Sequence, residues 1–111
     1  MDPRNASGLG DERRRFARVP LSTQATLEWA GQEYILASRN ISECGMGADA
    51  AEGLPPQTEG LISFNLKPED VPLVCRCRVL YSTDGRGAGI EFLELSEESR
   101  LILKHFVDQA N

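Results

Sequence analysis

At 111 residues the chain has room for one domain with a core of its own. Seventeen acidic against twelve basic residues, a formal net charge of −5, exclude the broad positive field that general nucleic-acid or anionic-membrane binding requires. No apolar run approaches the roughly 20 residues of a membrane helix, and the polar start does not read as a signal peptide. The three cysteines lack the spacing of a disulfide scaffold. The expectation is a cytoplasmic protein with free thiols and no membrane insertion.

Residues 1–12, "MDPRNASGLGDE", mix Pro, Gly, Ser and charge without apolar periodicity and are expected to be a flexible N-terminal segment. Next comes "RRRFAR", which puts Arg13, Arg14, Arg15 and Arg18 into six positions of an acidic chain. Ten of the twelve bases are arginine, the planar fork suited to phosphate oxygens and to the acceptor edge of guanine. From Val19 to Trp29 apolar and polar residues alternate, which predicts one half-buried strand, turned by Ala30-Gly31 into a second strand over about Glu33 to Ile41.

A glycine-rich stretch follows, with a short strand expected around Met46 to Ala50, ended by Pro55-Pro56. "GLISFNL" should turn Ile62, Phe64 and Leu66 to one face, and "LVCRCRVLY" should turn Leu73, Cys75, Cys77, Val79 and Tyr81 to one face. After the "DGRG" turn, "AGIEFLEL" should point Ile90 and Phe92 inward. The period then changes to that of a helix: Ser96 is a fitting N-cap, Glu97 and Glu98 suit the first turn, and Ile102, Leu103, Phe106, Val107 and Ala110 form one apolar arc. About six short antiparallel strands and one amphipathic helix predict a small closed barrel with the helix laid against it.

A second motif, "RNISECG", carries Asn40, Ser42 and Gly45 at the end of the second strand. Asn, Ser and Gly at a strand end are ordinary turn chemistry when taken alone. The hairpin, however, returns the chain to where it began, so these residues should be spatial neighbours of Arg14 and Arg18. Two other constellations carry less. Cys44, Cys75, Cys77 and His105 could supply a zinc set, but Cys-x-Cys on one strand face reads first as two buried thiols. His105 has neither a nucleophile motif nor a carboxylate partner that would make it a catalytic base. Trp29 and Tyr81 read as core or rim residues before they read as stacking platforms.

Arg14-x-x-x-Arg18 followed by Asn40-x-Ser42-x-x-Gly45 resembles the paired motif of the PilZ domain, a receptor module for the second messenger cyclic di-GMP, and the resemblance covers residues 13–111. It implies a six-stranded antiparallel PilZ-type β-barrel with a C-terminal helix, which agrees with the element count above. It further implies a binding adaptor and not an enzyme, with cyclic di-GMP as ligand, no cofactor, no metal, no nucleic acid and an unidentified downstream protein in motility, adhesion or exopolysaccharide output. Arg14 and Arg18 would be the cationic forks, Asn40 and Ser42 would hydrogen-bond guanine or orient the arginines, and Gly45 would admit a close backbone approach or a special turn. Arg13, just before the first motif, is compatible with an intercalated pair of ligands. The family usually has Asp where this chain has Asn40. The alternative is a PilZ-fold interaction module without relevant nucleotide binding.

Overall fold

The computed structural model describes residues 17–50, 54, 55, 57–83 and 87–110. Seven strand segments, β1 (Val19–Pro20), β2 (Gln24–Trp29), β3 (Gln32–Ile41), β4 (Gly45–Ala50), β5 (Glu59–Phe64), β6 (Leu73–Ser82) and β7 (Gly87–Glu94), precede helix α1 (Glu97–Ala110). Every strand pairing is antiparallel. The order β3-β2-β5-β6-β7-β4 closes through the β3–β4 pairing into a six-stranded barrel, and β1 adds to the free end of β3. Closure leaves no barrel strand with an unpaired edge along its whole length.

The expected first strand is divided in two. Its alternation persists, with Val19, Leu21, Ala25 and Leu27 all buried. The ladder, however, breaks at residues 21–23, where the Ser38 hydroxyl donates to the Leu21 carbonyl at 2.6 Å and accepts from the Thr23 amide at 2.9 Å. One buried side chain thus stands in for ladder partners that the kink removes. The Ala30-Gly31 turn forms as expected, with φ of 53° and 78° at its two central residues. Trp29 pairs with Gln32 across it, as in a two-residue hairpin with both centres left-handed.

Inside the barrel Leu27, Leu36, Ile41, Met46, Ile62, Phe64 and Val79 are essentially inaccessible. The rings of Phe64 and Phe92 stack at 5.6 Å between centroids. Cys75 and Cys77 belong to this core, and burial pushes their thiols up to about 12 and about 11. Among the described residues no three His, Cys, Asp or Glu side chains gather as a metal site would require.

Ser96 caps α1 through its hydroxyl, which accepts the Ser99 amide at 3.0 Å. The helix buries a narrower stripe than its apolar arc predicts: Leu103 and Val107 are buried and Phe106 is half-buried, while Ile102 and Ala110 are exposed. A single seam against the barrel accommodates fewer side chains than the full arc offers. No described helix is long and apolar enough to cross a membrane.

Tyr81 corrects the reading of its strand. Leu73, Cys75, Cys77 and Val79 face inward, but Tyr81 is 52% exposed. A bulge between Val79 and Tyr81, with Leu80 as the extra residue, rotates the end of β6 and turns the ring out.

Candidate functional site

Two bulges build the site. On β3, Ser38 pairs with Ala48 and Asn40 with Gly47, so Arg39 is an unpaired extra residue. A bulge of this kind disrupts the strict inward-outward alternation, and here Arg39 and the half-buried Asn40 both lie outside the core, between the buried Ser38 and Ile41. On β6 the bulge at Leu80 does the same for Tyr81.

The register joins these places. Asn40 pairs with Gly47, Gly47 with Gly89, and Gly89 with Tyr81, so the four residues form one cross-strand row over β3, β4, β7 and β6. At ordinary strand spacing the row is about 14 Å long. Its two central members have no side chains because their neighbours occupy the space. A Cβ on Gly47 would meet the Asn40 Oδ1 at 2.9 Å, and one on Gly89 would clash with the Cε1 edge of the Tyr81 ring. The result is a flat floor in which the Asn40 amide lies over Gly47 and the Tyr81 ring over Gly89, the two glycines themselves being buried.

Arg18 reaches this floor from the position just before β1. Its Nη1 donates to the Asn40 Oδ1 at 2.7 Å, so the two sequence motifs meet through a direct side-chain hydrogen bond. Arg18, Arg39, Asn40, Met46, Gly47, Leu80, Tyr81, Gly89 and Ile90 line a concavity of about 90 Å³. A larger groove, about 480 Å³, lies against β2, β3 and β4 between Ser22 and Ala50, but among the described residues Asp49 is the only charged side chain lining it. The described lining of that groove offers an anion no cation, whereas the smaller one is flanked by Arg18 and Arg39.

Ser42 and Gly45 are buried in the β3–β4 turn, not displayed on the floor. The Ser42 amide donates to the Gly45 carbonyl at 2.9 Å, and the Ser42 hydroxyl accepts the Cys44 amide at 3.2 Å. Gly45 has no left-handed backbone; what requires glycine is the approach of β4 to β7, since a Cβ there would lie well under 3.0 Å from the Ile90 carbonyl oxygen. Arg13, Arg14 and Arg15 lie outside the described residues.

Other arginines are engaged away from the site. Arg76 bridges Glu59 at 2.9 Å and Glu94 at 2.8 Å, and Arg78 bridges Glu59 at 3.0 Å. The Arg78 and then the Arg76 guanidinium hold the Glu59 carboxyl below its usual range. Tyr81 and Arg39 escaped the sequence reading because bulges are invisible to a strict period of two. The glycines within strands, at 47 and 89, were the available signal.

The PilZ domain family model matches residues 12–109. The chain belongs to the PilZ domain family. Three solved PilZ-type structures share its fold. The inhibitor of motility MotI/DgrA of Bacillus subtilis superposes with a TM-score of 0.74 at 18% identity, over 87% of this chain and 50% of that one. The PilZ domain of Escherichia coli YcgR with c-di-GMP gives 0.72 at 14% identity, over 88% of this chain and 91% of that one. The YcgR complex with c-di-GMP, also from Escherichia coli, gives 0.71 at 18%, over 87% of this chain and 45% of that one. This PilZ chain therefore spans half of MotI and less than half of the longer YcgR chain. No curated protein matches it in sequence.

Proposed function

We propose that this PilZ domain is a receptor for cyclic di-GMP that binds on the Asn40–Gly47–Gly89–Tyr81 row and acts as an adaptor, without bond chemistry. The observation that carries the reading is the Arg18–Asn40 hydrogen bond at 2.7 Å beside the glycine floor, which unites the two halves of the paired motif. Two structural relatives being complexes with c-di-GMP supports the choice of ligand.

Each part has a role that the ligand's chemistry demands. The Arg18 guanidinium pairs with a phosphodiester or with the O6/N7 edge of guanine. The Asn40 amide presents both a donor and an acceptor to a base edge. Gly47 and Gly89 let the Asn40 amide and the Tyr81 ring lie flat against the strands, and the exposed face of Tyr81 receives a planar base by stacking. Ser42 and Gly45 support the turn that holds Asn40 in place. Asn40 lacks the negative charge that an aspartate would offer to guanine N1–H and N2–H2, which lowers affinity relative to an aspartate at this position.

The arginine arm completes the site. Ligand binding orders Arg13, Arg14 and Arg15 over the floor, and the new surface is what a downstream protein reads. Amide exchange over residues 5–18 should slow when ligand binds; equal exchange with and without ligand would remove the arm from the mechanism. With Arg13 present, two intercalated ligands bind per chain, because a further fork offsets the repulsion among four phosphodiester charges. Arg13→Leu shifts the ratio toward one.

Isothermal titration with cyclic di-GMP, with GTP and short single-stranded DNA as controls, tests the assignment. Arg18→Ala should weaken binding about ten- to a hundredfold, the worth of one charge-assisted fork, with the fold intact. Absence of binding by the wild-type chain would leave an interaction module in place of a receptor.

A further inference from the structure

We infer that Arg39, the extra residue of the β3 bulge, is a second cation of this site, held in reserve by Asp49 until ligand arrives. The inference rests on the cyclic di-GMP reading and goes beyond it, since Arg39 lies outside both halves of the paired motif. It starts from the bulge: a regular β3 would set Arg39 in strict alternation with Asn40, and the irregularity instead places both along the same concavity.

The guanidinium has a defined path over the surface. Its Nε lies 3.4 Å from the Asp49 Oδ1 on β4, and one Nη lies 2.9 Å from where a Cβ of Gly87 would be. Asp49 and Gly87 are themselves paired across β4 and β7, two residues along from the Gly47–Gly89 pair. Arg39 therefore crosses the barrel surface about 7 Å from the glycine floor. Arg18 enters from the opposite direction, from the residue before β1 and level with the β3–β4 turn. Two cations thus flank the floor from its two sides.

A cyclic dinucleotide has two phosphodiesters on opposite sides of its ring, so one cation on each side fits it better than two on one side. The Asp49 pair does not forbid this use. Both partners are about half exposed, at 56% and 50% of the side chain, and a pair so placed is weak enough to exchange for a phosphodiester. Asp49 then acts as a positioning residue that keeps the guanidinium extended across the strands, at a small cost in affinity. Arg39 in turn makes its ligand contact only after leaving that partner.

The test is a four-protein titration with cyclic di-GMP: wild type, Arg39→Gln, Asp49→Asn and the double variant, each checked by thermal melting. Arg39→Gln should weaken binding about tenfold. Asp49→Asn should tighten it about two- to fivefold by releasing Arg39. In the Arg39→Gln background the Asp49→Asn gain should vanish. Wild-type binding with Arg39→Gln unchanged would overturn the inference and leave the receptor assignment intact. A gain from Asp49→Asn that persists without Arg39 would show general removal of negative charge and would also overturn it. No binding by wild type would overturn the receptor reading and this inference together.

Discussion

Gly45→Ala separates two explanations of a motif glycine, contact with ligand and close packing of strands. A methyl group at residue 45 would be forced against the Ile90 carbonyl oxygen, well under the 3.0 Å that real Cβ contacts keep. Neither side can yield easily. Gly45 pairs with Glu91 and Met46 with Ile90, while Ile90 is pinned on its other edge by Val79. Restoring a normal contact requires about 1 Å of movement in paired backbone, an overpacking whose cost is about 3 kcal/mol. For a domain of this size that is a fall of about 14 °C in melting temperature. Thermal melts followed by circular dichroism, with urea titrations to confirm the free energy, read it directly. An alanine variant that melts within about 2 °C of wild type yet binds cyclic di-GMP poorly would refute the packing argument, because glycine would then be serving the ligand.

Three further outcomes follow from single features. Tyr81→Ala should weaken cyclic di-GMP binding by about 1 to 3 kcal/mol, with Tyr81→Phe close to wild type in the same titration; equal binding by all three would remove the stacking platform. Ala30 holds φ of 53°, so Ala30→Asn should raise stability by about 1 kcal/mol in urea unfolding, and an unchanged midpoint would contradict the turn assignment. The buried thiols give an alkaline dependence. Cys75 and Cys77 keep their protons to about 12 and about 11, against 9.0 for an ordinary thiol, so the folded chain binds more protons than the unfolded one between those values. Stability contributed by the two neutral thiols is intact below pH 9.0 and falls as pH climbs toward 11. A Cys75→Ala/Cys77→Ala variant should lose less stability than wild type between pH 8 and about 10.5; parallel losses would contradict the argument.

The barrel was legible because its inward faces obey a period of two almost throughout: Ala25 and Leu27, Ile62 and Phe64, Cys75 to Val79, Ile90 and Phe92 are all buried where alternation puts them. The hairpin was legible because Ala30-Gly31 is turn chemistry, and its closure correctly brought Arg18 to Asn40. The rest depends on departures from periodicity. Ser38 replaces backbone partners at the β1–β2 kink, and the bulges at Arg39 and Leu80 redirect the chain. Such departures are set by tertiary pairing and do not show in the period of two; the strand glycines Gly47 and Gly89 are their one local mark. Tyr81 was misread for that reason. The roles of Ser42 and Gly45 could not be divided from those of Arg18 and Asn40 by sequence alone, since burial in the β3–β4 turn is a property of the closed barrel.

The central claim is a place: cyclic di-GMP lies on the row from Asn40 to Tyr81. Titration of the ligand into isotopically labelled protein, followed amide by amide by nuclear magnetic resonance, tests that place most directly. The account predicts the largest shifts at the amides of Arg18, Asn40, Gly47, Gly89 and Tyr81 and at the Asn40 side-chain amide, with α1 and the groove between Ser22 and Ala50 little changed. Shifts concentrated in that groove or on α1, with the glycine row silent, would contradict it.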